Sequence, residues 1–192
     1  MSSNHVIGID IGTTTISAIV LNSTNGEVID TITEKNNAHI KTNHLWEKVE
    51  DPGAIYCKVK HIIDLLIDKY KSIACIGVTG QMHGIVYVDE YGQAVSPLFD
   101  WQDLRGDIEY KEGLTYAQYL SKMTGYKLAS GFGMVTHFYN TINNIVPDSA
   151  VYICTIMDYI VMKLCNKTKP IMHSSNAASL GCFNLKTSHF DK

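Results

Sequence analysis

An aspartate followed by a threonine-rich turn stands near the start of the chain, in the run Gly8-Ile9-Asp10-Ile11-Gly12-Thr13-Thr14-Thr15. A carboxylate at the end of a buried strand is costly unless it is hydrated, paired or near a cation, so we expect Asp10 at an exposed strand end. Gly12 permits close backbone approach, and hydroxyls and amides are offered to an anion by Thr13, Thr14 and Thr15. The group suits Mg²⁺ held through water by Asp10, with phosphate oxygens at the turn. The alternative is a plain hairpin turn with an Asx-type hydrogen bond.

A second polar group is the run Gly80-Gln81-Met82-His83-Gly84. The strand before it would deliver these side chains to the C-terminal edge of a sheet, where ligands of α/β proteins usually bind. We therefore predict substrate contacts from Gln81, Met82 and His83. The glycine spacing alone is weak evidence, and a core histidine bonded to backbone is an equal alternative for His83.

The third group is Phe99-Asp100-Trp101-Gln102-Asp103-Leu104-Arg105, which combines an aromatic face, carboxylates, an amide and the only arginine of the chain. Sugars are bound by this mixture of stacking surface and hydrogen-bonding groups. The run predicts a sugar site at Trp101, Gln102 and Asp103, with Arg105 as a direct or supporting contact. A solvated helix start beginning at Asp103 is the alternative.

Strands and helices predicted from the periodicity of apolar residues must position these three groups. Short β-branched runs predict three antiparallel strands at Val6–Ile11, Ile16–Leu21 and Glu27–Thr33. Apolar residues recur with a 3.6-residue period after Asp51-Pro52, which predicts an amphipathic helix that ends before a strand at Ile73–Thr79.

The sequence pattern of the second half of the chain predicts a hairpin, two helices, a strand and a final helix. The hairpin joins Gly84–Val88 to Ala94–Phe99, and the later elements lie near Tyr116–Met123, Val135–Asn143, Val151–Ile156 and Tyr159–Leu164. The predicted class is α/β, and the element order resembles the ribonuclease-H-like half-domain of actin-like ATPases and sugar kinases. We expect one domain over residues 1–192, with a mixed five-stranded sheet, helices on both faces and an inserted hairpin.

Composition excludes several classes of function. The chain has 192 residues, 45% hydrophobic and 18% charged, which is typical of a globular protein. A net charge of −3 with one arginine argues against binding of nucleic acid or anionic lipid. Five cysteines without metal-site spacing indicate reduced thiols, and no apolar run is long enough for a membrane span, so we expect a cytoplasmic protein.

Taken together, the three groups resemble the FGGY family of ATP-dependent carbohydrate kinases over essentially the whole chain. Three later stretches are similar in order and spacing to the sedoheptulokinase branch of that family: Ser130-Gly131-Phe132-Gly133, Ile156-Met157-Asp158-Tyr159-Ile160-Val161, and Asn176-Ala177-Ala178-Ser179-Leu180-Gly181 with Phe183-Asn184. Trp101-Gln102-Asp103 stands where xylulokinases typically carry Trp-Asn-Asp. The resemblance therefore favours sedoheptulose as substrate, with xylulose next.

The resemblance also implies roles for individual residues. Asp10 matches the family's essential aspartate of the phosphate and metal site, and the implied cofactors are ATP and Mg²⁺. The implied phosphate contacts are Gly12, Thr13, Thr14 and Thr15, and the implied sugar contacts are Gln81, Met82, His83, Trp101, Gln102, Asp103 and Arg105.

The chain departs from the family pattern in length. The family's general base lies in a Gly-Asp-Asn/Gln-type motif that does not occur in these 192 residues, whose last carboxylate is Asp191. We therefore expect an N-terminal, sugar-binding lobe that is inactive without a C-terminal lobe and that is prone to form homodimers. Two alternatives stay open: an actin-like ATPase of another class, and a non-catalytic lobe that serves as a binding or oligomerisation module. A reading frame that continues past Lys192 into such a motif would exclude the module.

Overall fold

A computed structural model describes residues 5–191. The strands are β1 (His5–Ile11), β2 (Thr15–Asn22), β3 (Val28–Lys35), β4 (Val49–Glu50), β5 (Ile73–Gly80), β6 (Val86–Val88), β7 (Leu98–Phe99), β8 (Glu109–Lys111), β9 (Leu114–Thr115), β10 (Tyr152–Cys154), β11 (Phe183–Asn184) and β12 (His189–Phe190). The α-helices are α1 (Pro52–Tyr70), α2 (Tyr116–Thr124), α3 (Gly133–Ile142), α4 (Ile156–Leu164) and α5 (Ser174–Leu180), and Arg105–Asp107 forms a short 3-10 helix.

These elements divide between two compact units. The first unit takes the chain up to Ala38 together with Gly53–Gln81, and the second takes His39–Pro52 together with the chain from Met82 onward. The expectation of one lobe over residues 1–192 stays a prediction, since a lobe can contain two such units.

The first unit is a four-stranded sheet in the order β3-β2-β1-β5 with the helix α1. β1 is antiparallel to β2 and parallel to β5, so the sheet is mixed. Alternate residues of the central strands are buried, and α1 buries a matching apolar stripe: Ile7, Ile9, Ile11, Ile16, Ala18 and Val20 in the sheet, and Ile55, Val59, Ile62 and Leu66 in the helix. Lys69 Nζ of α1 donates to Asp30 of β3 at 2.7 Å. The core of this unit therefore lies between α1 and one face of the sheet.

The predicted α/β class, the three opening strands, the first helix and the following strand are confirmed. The sheet has four strands rather than the expected five, because the run predicted at Val151–Ile156 is β10, which pairs antiparallel with β6 in the second unit. Among the described residues of the first unit, α1 is the one helix, so helices on both faces are not found there.

The second unit is built around the predicted hairpin. β6 turns back at Asp89, whose backbone amide donates to the Gln93 carbonyl at 3.0 Å, and the return arm ends in β7, which pairs with β4. The core cluster of buried residues comprises Val49, Ile85, Tyr87, Phe99 and Leu180. The predicted later helices are confirmed as α2, α3 and α4, each within a few residues of its expected bounds. Across residues 5–191, no helix has the length and apolarity needed to cross a membrane.

Candidate functional site

Asp10 lies on the face of the first unit's sheet that α1 does not cover. Its side chain is exposed, and its cross-strand neighbours are Ser17 on β2 and Thr79 on β5. Residues directly opposite one another in a sheet share a face, so these three side chains form a polar row. Gly8 and Gly77, paired in the adjacent row, line the same open groove of about 420 Å³. The glycines leave room above the backbone for a ligand beside the carboxylate.

The turn after β1 is held in one conformation by backbone bonds. The Gly12 amide donates to the Thr15 carbonyl at 2.9 Å, and a Cβ on Gly12 would lie 2.9 Å from that same oxygen. Asn36, the residue after β3, holds the turn through two hydrogen bonds. Its side-chain nitrogen Nδ2 donates to the Gly12 carbonyl at 2.9 Å, and its backbone amide donates to the Thr14 carbonyl at 2.8 Å. The Thr14 side chain is exposed. The turn is therefore a fixed, hydroxyl-bearing loop directly after Asp10.

These residues fit a hydrated magnesium ion. Mg²⁺ is usually bound through one or two carboxylates and several waters, with the remaining positions taken by substrate phosphates. Asp10 supplies one exposed carboxylate, and no cluster of three or more His, Cys, Asp or Glu that could hold a metal directly occurs in residues 5–191. That an ion is held through water by Asp10, with phosphate oxygens at the turn, stays a prediction.

Gln81 belongs to the first unit, beside the Gly12–Thr15 turn. Its side chain is buried, its backbone amide donates to the Ile11 carbonyl at 2.8 Å, and its Oε1 accepts from the Thr13 hydroxyl at 3.4 Å. Gly80 must be a glycine, because a Cβ there would lie 2.6 Å from the Ile11 carbonyl oxygen. Gln81 thus supports the turn, and its predicted contact with substrate stays a prediction.

Met82 and His83 open the second unit in a tight reversal of the chain. The Gly84 amide donates to the Met82 carbonyl at 2.9 Å while His83 adopts φ +72°, which together make a γ-turn of the rare positive-φ type. Met82 is 55% exposed. The imidazole of His83 stacks on Phe132, with ring centroids 4.5 Å apart and an angle of 9° between the planes. Strained backbone of this kind concentrates at functional sites.

The segment Ser130–Gly133 brings His83 and Trp101 into one neighbourhood. Gly131 has φ +85°, and a Cβ on it would lie 2.0 Å from the Trp101 carbonyl oxygen. Phe132, the next residue, stacks on His83, and a Cβ on Gly133 would lie 2.8 Å from the His83 carbonyl oxygen. The Trp101 side chain is 46% exposed and Gln102 is also exposed. The backbone of Trp101 and the half-buried imidazole of His83 therefore both pack against this segment.

Asp103 and Arg105 lie beneath that surface as a buried ion pair. Asp103 is 0% exposed and Arg105 is 1% exposed. Arg105 Nε donates to Asp103 Oδ1 at 2.6 Å and Arg105 Nη2 donates to Asp103 Oδ2 at 3.0 Å, a bidentate pairing. The Asp103 oxygens also accept from the backbone amides of Lys48, at 2.9 Å, and Arg105, at 3.0 Å.

The guanidinium of Arg105 has further partners on other elements. Nη1 donates to Asn140 Oδ1 of α3 at 2.5 Å, and Nη2 donates to Glu47 Oε1 at 3.5 Å. The guanidinium carbon lies 4.3 Å from the centroid of the Phe99 ring. The alternative of a solvated helix start at Asp103 is wrong, because Asp103 and Arg105 are buried and their contacts join four segments of the chain, although a short 3-10 helix does begin at Arg105.

Asp100, just before Trp101, is a buried carboxyl with a raised pKa. It is 2% exposed, and burial raises its pKa from 3.8 to about 6, with the nearby Asp103 charge adding to the effect. The backbone amide of Gln102 donates to Asp100 Oδ1 at 2.7 Å, and this hydrogen bond lowers the pKa of Asp100.

Several residues of this site carry no predicted role. Phe132 and Ser179 hold His83, and Glu47, Lys48 and Asn140 complete the Asp103–Arg105 network. The partners of Arg105 lie up to 58 positions away in the chain, so no local spacing could reveal them. Phe132 and Ser179 lie in two of the stretches that resemble the family, and that resemblance was the one sequence signal that could have pointed to them.

Solved structures define the class of fold. The gluconate kinase of Lactobacillus acidophilus matches with a TM-score of 0.81 at 23% identity, covering 97% of this chain and 38% of that one. The Plasmodium falciparum glycerol kinase with ADP matches with a TM-score of 0.73 at 20% identity, covering 100% of this chain and 40% of that one. The fold is the ribonuclease-H-like, actin-like ATPase fold of sugar kinases, as predicted.

Residues 5–192 match the N-terminal domain of the FGGY family of carbohydrate kinases, and the chain belongs to that family. The human sedoheptulokinase is 29% identical over 211 residues, covering 94% of this chain and 42% of the relative. The xylulose kinase of Staphylococcus xylosus is 30% identical over 195 residues, covering 95% of this chain and 38% of the relative. The chain thus spans about two-fifths of the length of these relatives.

Proposed function

We propose that the protein to which this chain belongs transfers the γ-phosphoryl group of ATP to a hydroxyl of a ketose, sedoheptulose first and xylulose second. The observation that carries the proposal is the convergence of the Ser130–Gly133 segment on both Trp101 and His83. That segment joins the two motifs expected to contact sugar, so one surface offers an aromatic ring beside several hydrogen-bonding groups.

The first unit supplies the nucleotide side of the proposal. Asp10 would hold Mg²⁺ through water, and the fixed turn at Thr13 and Thr14 would contact phosphate oxygens. The ADP in the related glycerol kinase structure supports ATP as phosphoryl donor. The sugar oxygen attacks the γ-phosphorus, the bond to the β-phosphate oxygen breaks, and ADP leaves with that electron pair. The proton of the sugar hydroxyl passes to a base that we place outside these 192 residues.

The second unit supplies the sugar side. Trp101, Gln102, Met82 and His83 carry exposed or half-buried side chains and are proposed to touch the ketose. The side chain of Asp103 already accepts four hydrogen bonds from Lys48 and Arg105. We therefore propose that Asp103 and Arg105 act mainly by holding the loop that carries Trp101 and Gln102.

A second lobe would complete the kinase and its adenine site, and we propose a cytoplasmic enzyme. Catalysis of phosphoryl transfer depends on positioning and on exclusion of water, which one open lobe does poorly. Alone, the 192-residue chain should release no measurable ADP. Its β5 is an edge strand with Cys75 exposed and Ile76 37% exposed, which favours pairing between copies. That edge is the observation in favour of the alternative, a non-catalytic module.

The test is a titration of the isotopically labelled chain with sedoheptulose, xylulose and glycerol, followed by amide NMR shifts. We expect saturable shifts with the ketoses at residues 82–83, 101–102 and 130–133, with a Kd of about 1 mM or weaker. Trp101→Leu should abolish them, while the exposed Tyr91→Leu is the matched control. Shifts that are absent, or equal with every polyol, would contradict the sugar site. A stable dimer that ignores sugar would support the module instead.

A further inference from the structure

A cavity of about 320 Å³ in the second unit is lined by residues of β6, β10, α3 and the connection from α3 to β10. The lining residues are Tyr87, His137, Val146, Ala150, Val151, Tyr152 and Ile153. Ligand cavities typically combine apolar walls with a few polar groups that orient the occupant. Here aliphatic walls accompany two polar groups that are hydrogen-bonded to each other, since the Tyr87 hydroxyl lies 2.9 Å from Nδ1 of His137.

The Tyr87 hydroxyl ends a buried chain of hydrogen bonds that begins at Arg105. An arginine nitrogen can only donate, so the Asn140 atom 2.5 Å from Arg105 Nη1 is the amide oxygen. The amide nitrogen of Asn140 then lies 3.3 Å from the Tyr87 hydroxyl and donates to it. All three side chains are at most 1% exposed, so water does not compete for these bonds.

The hydrogen of the Tyr87 hydroxyl therefore has one destination. Apart from Asn140, His137 Nδ1 is the one hydrogen-bond partner of this oxygen among residues 5–191. Burial raises the pKa of Tyr87 to about 12 and lowers the pKa of His137, so near neutral pH the phenol keeps its hydrogen and the imidazole is uncharged. Since Nδ1 accepts from Tyr87, the ring hydrogen of His137 is on Nε2.

Nε2 of His137 is a donor without a protein acceptor. Within residues 5–191, the bond to Tyr87 is the only hydrogen bond of the imidazole. Every buried side-chain nitrogen or oxygen in this part of the chain has a partner, so Nε2 must be accessible rather than sealed in the core. The ring is half-buried and lines the cavity. The cavity therefore offers an oriented N–H donor beside aliphatic surface.

The charges around the cavity are of both signs. Lys169 Nζ lies 6.0 Å from the centroid of the Tyr152 ring, which lines the cavity. Asp148 lies in the connection between Val146 and Ala150, and its side chain is exposed. These surroundings suit a charged or a neutral hydrogen-bond acceptor.

We infer that this cavity is a ligand site for a compact apolar molecule whose carbonyl or carboxylate oxygen accepts a hydrogen bond from Nε2–H of His137. The aliphatic walls take up the apolar part of the molecule. The donor selects against molecules that offer only donors, because two donors cannot bond to each other. None of the lining residues is among the predicted sugar or phosphate contacts, so the site is independent of the proposed phosphoryl transfer.

The test titrates the ¹⁵N-labelled 192-residue chain near neutral pH with small branched probes. Isovalerate offers a carboxylate, 3-methylbutan-2-one a neutral ketone, and isopentylammonium only donors. Long-range ¹H–¹⁵N NMR of the histidine rings should show the His137 hydrogen on Nε2, and His137→Asn assigns the signal. We expect saturable shifts of this signal with isovalerate, the ketone or both, with a Kd of about 1 mM or weaker, and none with isopentylammonium. A response to isovalerate alone identifies an anionic ligand, and a response to the ketone identifies a neutral carbonyl.

Two variants separate the contact from the fold. In His137→Asn, the amide oxygen can replace Nδ1 as acceptor for Tyr87, but no atom replaces Nε2. Ala150→Leu keeps the imidazole and fills the cavity. Both variants should keep the parent's melting temperature within a few degrees and weaken probe binding at least about tenfold, whereas the exposed His61→Asn on α1 is the matched control.

Several results would overturn the inference. A ring hydrogen on Nδ1 of His137 would contradict the direction of the hydrogen-bond chain. Equal binding of isopentylammonium, or full binding by the folded variants, would contradict the donor contact. No saturable response to any probe would mean that the cavity is only a hydrated crevice.

Discussion

Removal of the single arginine should strongly destabilise the second unit. Arg105→Met leaves the carboxylate of Asp103 buried and without a counter-charge, since Asp103 is 0% exposed and both its oxygens now face Arg105 nitrogens at 2.6 and 3.0 Å. Removing one partner of a buried pair costs about 3–5 kcal/mol. The contact of the guanidinium with Phe99, at 4.3 Å, is lost too. Against a typical total of about 5–15 kcal/mol, this is a large fraction.

The two tryptophans provide the assay, because Trp46 and Trp101 both lie in the second unit. Urea unfolding followed by tryptophan fluorescence therefore reports on this unit separately from the first. We expect a lower midpoint with Arg105→Met and a fall in melting temperature of about 6–20 °C. Lys122→Met is the matched control, since its ion pair with Glu112 is more than half exposed on both sides and should contribute less than about 1 kcal/mol.

A double variant distinguishes a charge effect from simple loss of packing. Arg105→Met with Asp103→Asn removes the uncompensated charge and keeps an acceptor for the backbone amide of Lys48. It should recover at least about 1 kcal/mol relative to Arg105→Met alone. The reasoning is refuted if Arg105→Met costs no more than the Lys122 control, or if the double variant is the less stable of the two.

Three further changes have definite expected outcomes. The Asp100 pKa rises from 3.8 unfolded to about 6 folded, so its contribution to stability is present below about pH 4 and is lost as pH rises through 6. Asp100→Asn should therefore stabilise the chain by up to about 3 kcal/mol at pH 7, but not at pH 4, in urea titrations at both pH values. Gly131→Ala should cost at least about 2 kcal/mol in chemical unfolding, whereas Gly113→Ala, also at positive φ but in open space, should cost about 1. In the full-length protein, whose proposed activity is sugar phosphorylation, Asp10→Asn should lower kcat strongly with little change in the KM for sugar, and steady-state kinetics showing the reverse would contradict its placement at the phosphate.

The elements that the sequence revealed are those with strong local periodicity. The alternation in β1 and the apolar stripe of α1 follow from neighbours a few residues apart, so both are visible without the structure. α5 was missed because Ser174–Leu180 is short and has few apolar residues, and β4 was missed because it has two residues.

Long-range pairing was harder to predict than local structure. The sequence offers β10 as a strand but does not say that Ile153 pairs with Tyr87 instead of joining the main sheet. The same limit applies to the site. Residue types pointed to His83 and Trp101, but their shared dependence on Gly131 and Phe132 arises from contacts across many positions of chain.

The interleaving of the two units has a consequence for synthesis of the protein. The first unit has all its residues once Gln81 has left the ribosome, whereas the second needs His39–Pro52 together with the chain from Met82 onward. Domains fold as units, N-terminal first, during translation. The strand β4 must therefore wait as an unpaired excursion until β7 is made. In refolding from denaturant the whole chain is present at once, so β4 can pair with β7 from the start.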